Sequence, residues 1–90
     1  MESYNSNYID SAATTLVKTG PGVLHLISVN TTAAGSVTVY DGVSAAAPAS
    51  VLAIIKASAA EGPYIYDIAF DKGLTIVTAH ADSDLTVSYK

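Results

Sequence analysis

The residues able to do chemistry in this chain are few and grouped. "HADSD", from His80 to Asp84, brings an imidazole and two carboxylates within five residues, a set that suits a calcium or transition-metal ion. It lacks the further ligands and the glycine of a calcium-binding loop, so it reads as an acidic hairpin turn. Two Tyr-Asp pairs come next: Tyr40-Asp41 in "GSVTVYDG" and Tyr66-Asp67 in "GPYIYDIAFDKGL". A ring stacked on a pyranose, beside a carboxylate that binds hydroxyls, would make a sugar site with Tyr40, Tyr64 and Tyr66 as its platform. The structural reading of the same residues is that Asp41 opens a turn with Gly42, while Tyr66 packs its ring at a sheet edge and keeps its hydroxyl in water. His25, in "GVLHLISVN", falls mid-strand on the face of Val23 and Ile27, where a hydrogen-bonded histidine is a better reading than a ligand or general base. No serine sits in a nucleophile-elbow pattern. "TGPGV" is a turn rather than a phosphate loop, because no helix opening on Lys-Ser/Thr follows it. The sequence therefore assigns no catalytic, cofactor-binding or metal-ligating residue, and no enzymatic activity is expected.

The elements that must position these residues read as strands. Val, Ile, Thr and Tyr dominate short apolar segments bounded by Gly, Pro, Asn, Asp or Ala-Ser clusters. Seven follow: 14–18, 23–30, 36–40, 51–57, 64–70, 74–79 and 85–90. Leu85, Val87 and Tyr89 alternate with Thr86, Ser88 and Lys90, and Val37 and Val39 alternate with polar neighbours, so each strand has one dry face and one wet face. "PASVLAIIKASAAEG" has some helical spacing, but its dense "VLAII" centre suits a buried strand better. "DKG" at Asp71–Gly73 predicts a hairpin turn with glycine in the left-handed position. The small-residue stretch "DGVSAAAPAS" predicts a crossing from one sheet to the other. The expected fold is all-β: a small antiparallel β-sandwich of about seven strands, residues 14–90, wired as an immunoglobulin-like or a jelly-roll domain.

Composition bounds the partners. Ninety residues carry a net charge of −4, no arginine and no cysteine. Four scattered lysines do not make the clustered cations that phosphate binding needs, so nucleic acid is not an expected partner. Neither a disulfide framework nor a thiolate metal site is available. "MESYNSNYID" lacks the basic start and apolar run of a signal peptide, and no apolar stretch approaches the roughly 20 residues of a membrane helix. A soluble protein, with no membrane partner, is expected. Half the residues are apolar, but fifteen are alanine, so the core must come from Val, Ile, Leu, Tyr and the single Phe70. A chain this short buries about 60–65% of its unfolded surface, and a partner would add to a thin margin.

Residues 1–13 differ from the rest. They hold Ser, Asn and Tyr without periodicity and one large aliphatic residue beyond Met1, Ile9. Fixing each backbone unit costs about 1–2 kcal/mol, so the reading is an extended N-terminal arm ordered from outside. Tyr4, Tyr8 and Ile9 are the expected interface residues, lying against a neighbouring chain.

The run "KTGPGVLHLISVNTTAAGSVTVYDG", continued by "YIYDIAFDKGLTIVTAHADSDLTVSYK", resembles a group of small tailed-phage virion proteins. The shared features are a Gly-Pro-Gly turn, a Leu-His strand, a Thr-Val-Tyr-Asp-Gly end and a closing hydrophobic hairpin. The resemblance covers Lys18 to Lys90. It implies a β-sandwich structural component of the virion, made in the host cytoplasm and present in many copies, with the major capsid protein or another virion protein as partner. Capsid decoration or cement protein is the leading expectation. A neck, tail or fibre-attachment component is the alternative within that class, and a carbohydrate-binding module the alternative outside it.

Overall fold

Short alternating runs rich in β-branched residues bury one face each, and two sheets must close on each other to cover both faces. A computed structural model of the chain describes residues 4–45 and 49–90. It contains eight strands: β1 (Asn5–Ile9), β2 (Ala13–Thr19), β3 (Gly22–Thr31), β4 (Val37–Asp41), β5 (Ser50–Ile55), β6 (Gly62–Phe70), β7 (Gly73–Thr78) and β8 (Asp84–Tyr89). They form two antiparallel sheets, β1-β8-β3-β6 (sheet A) and β2-β7-β4-β5 (sheet B). The all-β sandwich expected from the sequence is the fold.

The wiring is that of a chain folded in half. With the β4–β5 connection as the tip, β4 pairs with β5, β3 with β6, β2 with β7 and β1 with β8. Two lateral ladders, β3 with β8 and β4 with β7, then sew this ribbon into the two sheets. Such a rolled ribbon is an eight-stranded jelly roll, which resolves the two wirings left open by the sequence. Every connection except β4–β5 changes sheet.

Five expectations need correction. Residues 5–9 of the predicted arm form an edge strand on β8 rather than an arm awaiting a partner; residues 1–3 lie outside the described residues. β6 and β7 belong to different sheets, so Asp71–Gly73 is a corner between sheets and not a hairpin. The "HADSD" segment likewise joins β7 to β8 across the sandwich. Conversely "DGVSAAAPAS", read as a crossing, connects the adjacent strands β4 and β5 of one sheet, residues 46–48 of it lying outside the described residues. Gly73 is not left-handed either. A Cβ there would meet the carbonyl oxygens of Lys18 and Gly42 at 2.9 and 3.0 Å, so glycine allows the corner to pack tightly. The left-handed turn glycine is Gly20, at φ 89° between β2 and β3, whose N–H donates to the Lys72 carbonyl at 2.9 Å.

Between the sheets lie Leu24, Ile27 and Val29 of β3, Val37 and Val39 of β4, Leu74 and Ile76 of β7, and Leu85 and Val87 of β8, all buried. Phe70, at the end of β6 and 1% exposed, is the largest of the fully buried side chains. Phe70→Ala therefore removes the bulkiest filler of a small core. The expected loss is about 3–5 kcal/mol, a large share of a total stability of order 5–15 kcal/mol. Urea unfolding checks it, and an unchanged midpoint would mean that the ring is not the core element the fold makes it.

Candidate functional site

A β-bulge builds a side-chain cluster of four residues on the outer face of sheet A. Along β3 and β8, Leu24 pairs with Tyr89 and Leu26 with Ser88, so His25 is an extra residue with no counterpart in β8. Against it, β6 places two residues, Tyr66 and Asp67, between the partners of Leu26 and Leu24. Asp67 absorbs the mismatch by adopting φ 52°, a left-handed conformation that Asp tolerates better than most residues. The alternation then restarts out of step. Leu24 and Ile27, three apart, both reach the core, so Val23 and Ile27 do not share a face as the sequence reading had it, and His25 stands outward with Val23 and not with Ile27.

Pushed outward, the imidazole finds its partners on the outer face of sheet A. His25 Nδ1 lies 2.6 Å from Asp67 Oδ1; the carboxylate accepts, so Nδ1 donates. The Tyr4 ring stacks on the imidazole, centroids 4.2 Å apart and planes 12° from parallel. Lys90 Nζ lies over the Tyr4 ring, 5.5 Å from its centroid, within cation–π range. Lys90 is itself bound to β3 through backbone hydrogen bonds in both directions with Val23. Residues from near both ends of the chain thus meet at one bulge.

At the other end of the same face, Asp84 gathers donors. Asn30 Nδ2 donates to one of its oxygens and the Thr31 hydroxyl to the other, each at 3.2 Å. The Tyr8 hydroxyl also donates to it, which holds the Asp84 carboxyl below its ordinary range and raises the Tyr8 phenol. A third carboxylate, Asp41, ties the end of β4 to the β6–β7 corner. The amide N–H groups of Asp71 and Lys72 donate to it at 3.1 and 2.9 Å. Those amides, Lys72 first, lower the Asp41 pKa. Asp41 was expected to open a local turn; its carboxylate instead caps a corner thirty residues away.

The three predicted interface residues divide. Ile9 is 4% exposed and packs into this chain's own core, opposite Leu85. Tyr4 and Tyr8 stand on the outer face of sheet A, half-exposed and occupied by His25 and Asp84. The reason is the unpaired edge that β8 would otherwise present, together with an alternation, Tyr4-Ser6-Tyr8 against Asn5-Asn7-Ile9, too polar to signal a strand. The sugar platform is not assembled. Tyr40 pairs with Thr75 on the outer side of sheet B, while Tyr64 and Tyr66 pack inward against the core from sheet A. Tyr64 donates its hydroxyl to the Ala60 carbonyl at 2.6 Å, and burial raises the Tyr66 phenol.

The groups of the "HADSD" segment are already engaged. His80 Nδ1 accepts the Asp82 amide N–H at 3.0 Å, so that nitrogen is engaged in its own turn, and Asp84 is held elsewhere. Among the described residues no group of three or more His, Cys, Asp or Glu is placed to hold a metal ion, and no helix is long and apolar enough to cross a membrane. A cavity of about 10 Å³ between the sheets, beside Val29, Ser83 and Leu85, is far below the few hundred Å³ of a small-molecule site. No family model, no curated protein and no solved structure matches the chain.

Two predictions follow from this geometry. Deleting residues 1–12 removes Ile9 from the core and bares the edge of β8, so the truncated protein should be less stable by about 2–5 kcal/mol and should aggregate through that edge. Calorimetry and light scattering check it; a truncated body as stable and monodisperse as the full chain would show that β1 is an appendage. Asp41→Asn should cost about 0.5–2 kcal/mol at neutral pH, as other lost carboxylate caps do. Because folding lowers the Asp41 pKa below its ordinary 3.8, its contribution is complete above that value and disappears as pH falls through the folded-state value. The gap between wild type and Asp41→Asn should therefore narrow below about pH 4, as read from urea midpoints across pH 2–7.

Proposed function

We propose that this chain is a non-enzymatic structural protein of a tailed-bacteriophage virion, a decoration or cement protein that sits on the capsid shell and bridges major capsid subunits. The observation that carries the reading is the nested wiring, β1-β8-β3-β6 on β2-β7-β4-β5. Viral capsid proteins, lectins and cupins use jelly rolls, so the choice among them rests on architecture taken by analogy together with the residues. The resemblance of Lys18 to Lys90 to small virion proteins favours the first. A lectin-type reading loses its platform, since Tyr40 faces away from Tyr64 and Tyr66.

A bridging protein needs a firm body with faces that bind protein. The outward positions of sheet B supply such a face: Thr14, Leu16, Thr38, Tyr40, Val51, Ile54 and Val77 carry no charge, and Leu16, Val51 and Ile54 are about half-exposed or more. Depletion of charge with aromatic and aliphatic side chains marks the centre of protein interfaces. The net charge of −4 keeps the free form soluble.

Quantitative mass spectrometry of purified particles tests the proposal. A decoration protein should be present at a copy number on the scale of the major capsid protein. A number fitting a tail or neck would move the protein to that alternative, and absence from particles would overturn the virion reading.

A further inference from the structure

We propose that β5 is a docking edge for a second copy of this chain. Two β5 strands pair antiparallel across a twofold axis between Leu52 and Ala53, joining two B sheets into one continuous sheet. An edge strand presents unpaired backbone N–H and C=O groups, and proteins usually blunt it. Three of the four edges here are blunted. β1 is short and polar, β2 carries Lys18, and β6 has Pro63 near its start and the left-handed Asp67 within it. β5, "SVLAII", has no charge, no proline, no glycine and no left-handed residue; its one interruption is a bulge at Leu52.

Its own irregularity makes it self-matching. The β4 ladder pairs Val39 with Ala53 and Tyr40 with Val51, so Leu52 is an extra residue. Leu52 and Ala53 both lean on the core, while Val51 and Ile54, three apart, stand 53% and 63% exposed. Antiparallel self-pairing about the Leu52/Ala53 midpoint sets each Val51 opposite Ile54 of the second copy, and each Leu52 opposite Ala53. Outward side chains then meet outward ones and inward meet inward, which a slip of one residue would destroy.

The same geometry selects the occupant. Pairing a strand with itself in antiparallel register is isologous by construction, and no charged side chain lies in either strand to repel its copy, although each chain carries −4 overall. A six-residue strand is about 20 Å long, and its pairing buries less than the roughly 800 Å² per partner of a stable interface. The dimer is therefore weak when free and strengthened wherever copies are arrayed together. This deepens the multi-copy part of the virion reading, but it is measured on free protein, so its failure and that of the particle assignment are told apart.

Sedimentation velocity of the full chain from about 10 μM to about 1 mM should show a monomer–dimer equilibrium. Amide exchange over 51–55 should slow as concentration rises, without change at β1 or β2. Val51→Lys with Ile54→Lys sets like charges opposite each other twice and should weaken association at least about tenfold. Val51→Lys with Ile54→Glu sets opposite charges there and should restore it, now in a salt-dependent way. Both positions are exposed, so the variants should stay folded, and the exchange measurement on the unmodified chain needs no variant. A chain monomeric at the highest concentration, protection at another edge, or a Lys/Glu variant no better than the Lys/Lys variant would each overturn the proposal.

Discussion

A dry layer only about 10 Å thick between the sheets has to be filled from inward positions that come every second residue, and this constraint governs the rest of the molecule. Where alternation runs unbroken, as at Leu85, Val87 and Tyr89, every second side chain goes to the core. Where a ladder slips, the chain gains a residue that can be redirected. The described ladders slip around Val17, His25, Asn30 and Leu52, and each slip changes what a strand shows to solvent; at Asn30 it lets Asn30 and Thr31 both reach Asp84. At Val17 it leaves Leu16 exposed while its neighbour packs inward. At His25 it raises an imidazole onto the outer face to meet Tyr4 and Asp67. At Leu52 it brings Val51 and Ile54 to one side. The surface features of this small protein are therefore largely consequences of its bulges.

This explains what the sequence could and could not convey. The seven strands with β-branched runs lie within a few residues of where composition puts them, because branched side chains and turn residues are local signals. β1 escaped, since its inward positions hold Asn5 and Asn7 and one aliphatic residue, Ile9; its order comes from β8, eighty residues away in the chain. The corner at Asp71–Gly73 was mistaken for a hairpin because proximity in sequence says that two strands follow closely, not that they share a sheet. The connection after Asp41 erred in the opposite sense for the same reason. The face of His25 was misread because a bulge leaves no mark in a string of alternating residues. Of the candidate sites, the Tyr-Asp pairs were legible as structural, but their partners were not: Asp41 reaches a corner and Asp67 a neighbouring strand.

Carboxylates take a larger structural share here than their number suggests. Without a cysteine the chain has no covalent staple, and Asp41, Asp67 and Asp84 each tie together segments distant in sequence by accepting from N–H or O–H donors. Hydrogen bonds to charged groups are stronger than neutral ones, and a carboxylate can accept several donors at once. All three stand at strand ends or in a bulge, where backbone and side-chain groups lack ladder partners. Six tyrosines and no arginine fit the same pattern, with phenols and amides serving as donors where guanidinium groups would otherwise do so.

The nested ladder also ranks the strands. Pairing β4 with β5 closes the shortest loop, and each later pair closes a loop already shortened by the one inside it, so the entropic cost of every step stays small. β1 with β8 is the outermost pair and has no further ladder to protect it. It is also the pair made of the least apolar strand. The cluster of Tyr4, His25, Asp67 and Lys90 lies at the outer end of this pair, where ring stacking and the His25–Asp67 hydrogen bond compensate for aliphatic contacts that β1 does not have. Polar surface chemistry at that end is thus what allows so hydrophilic a segment to serve as a strand, and it keeps the edge of β8, a central strand of sheet A, from standing open.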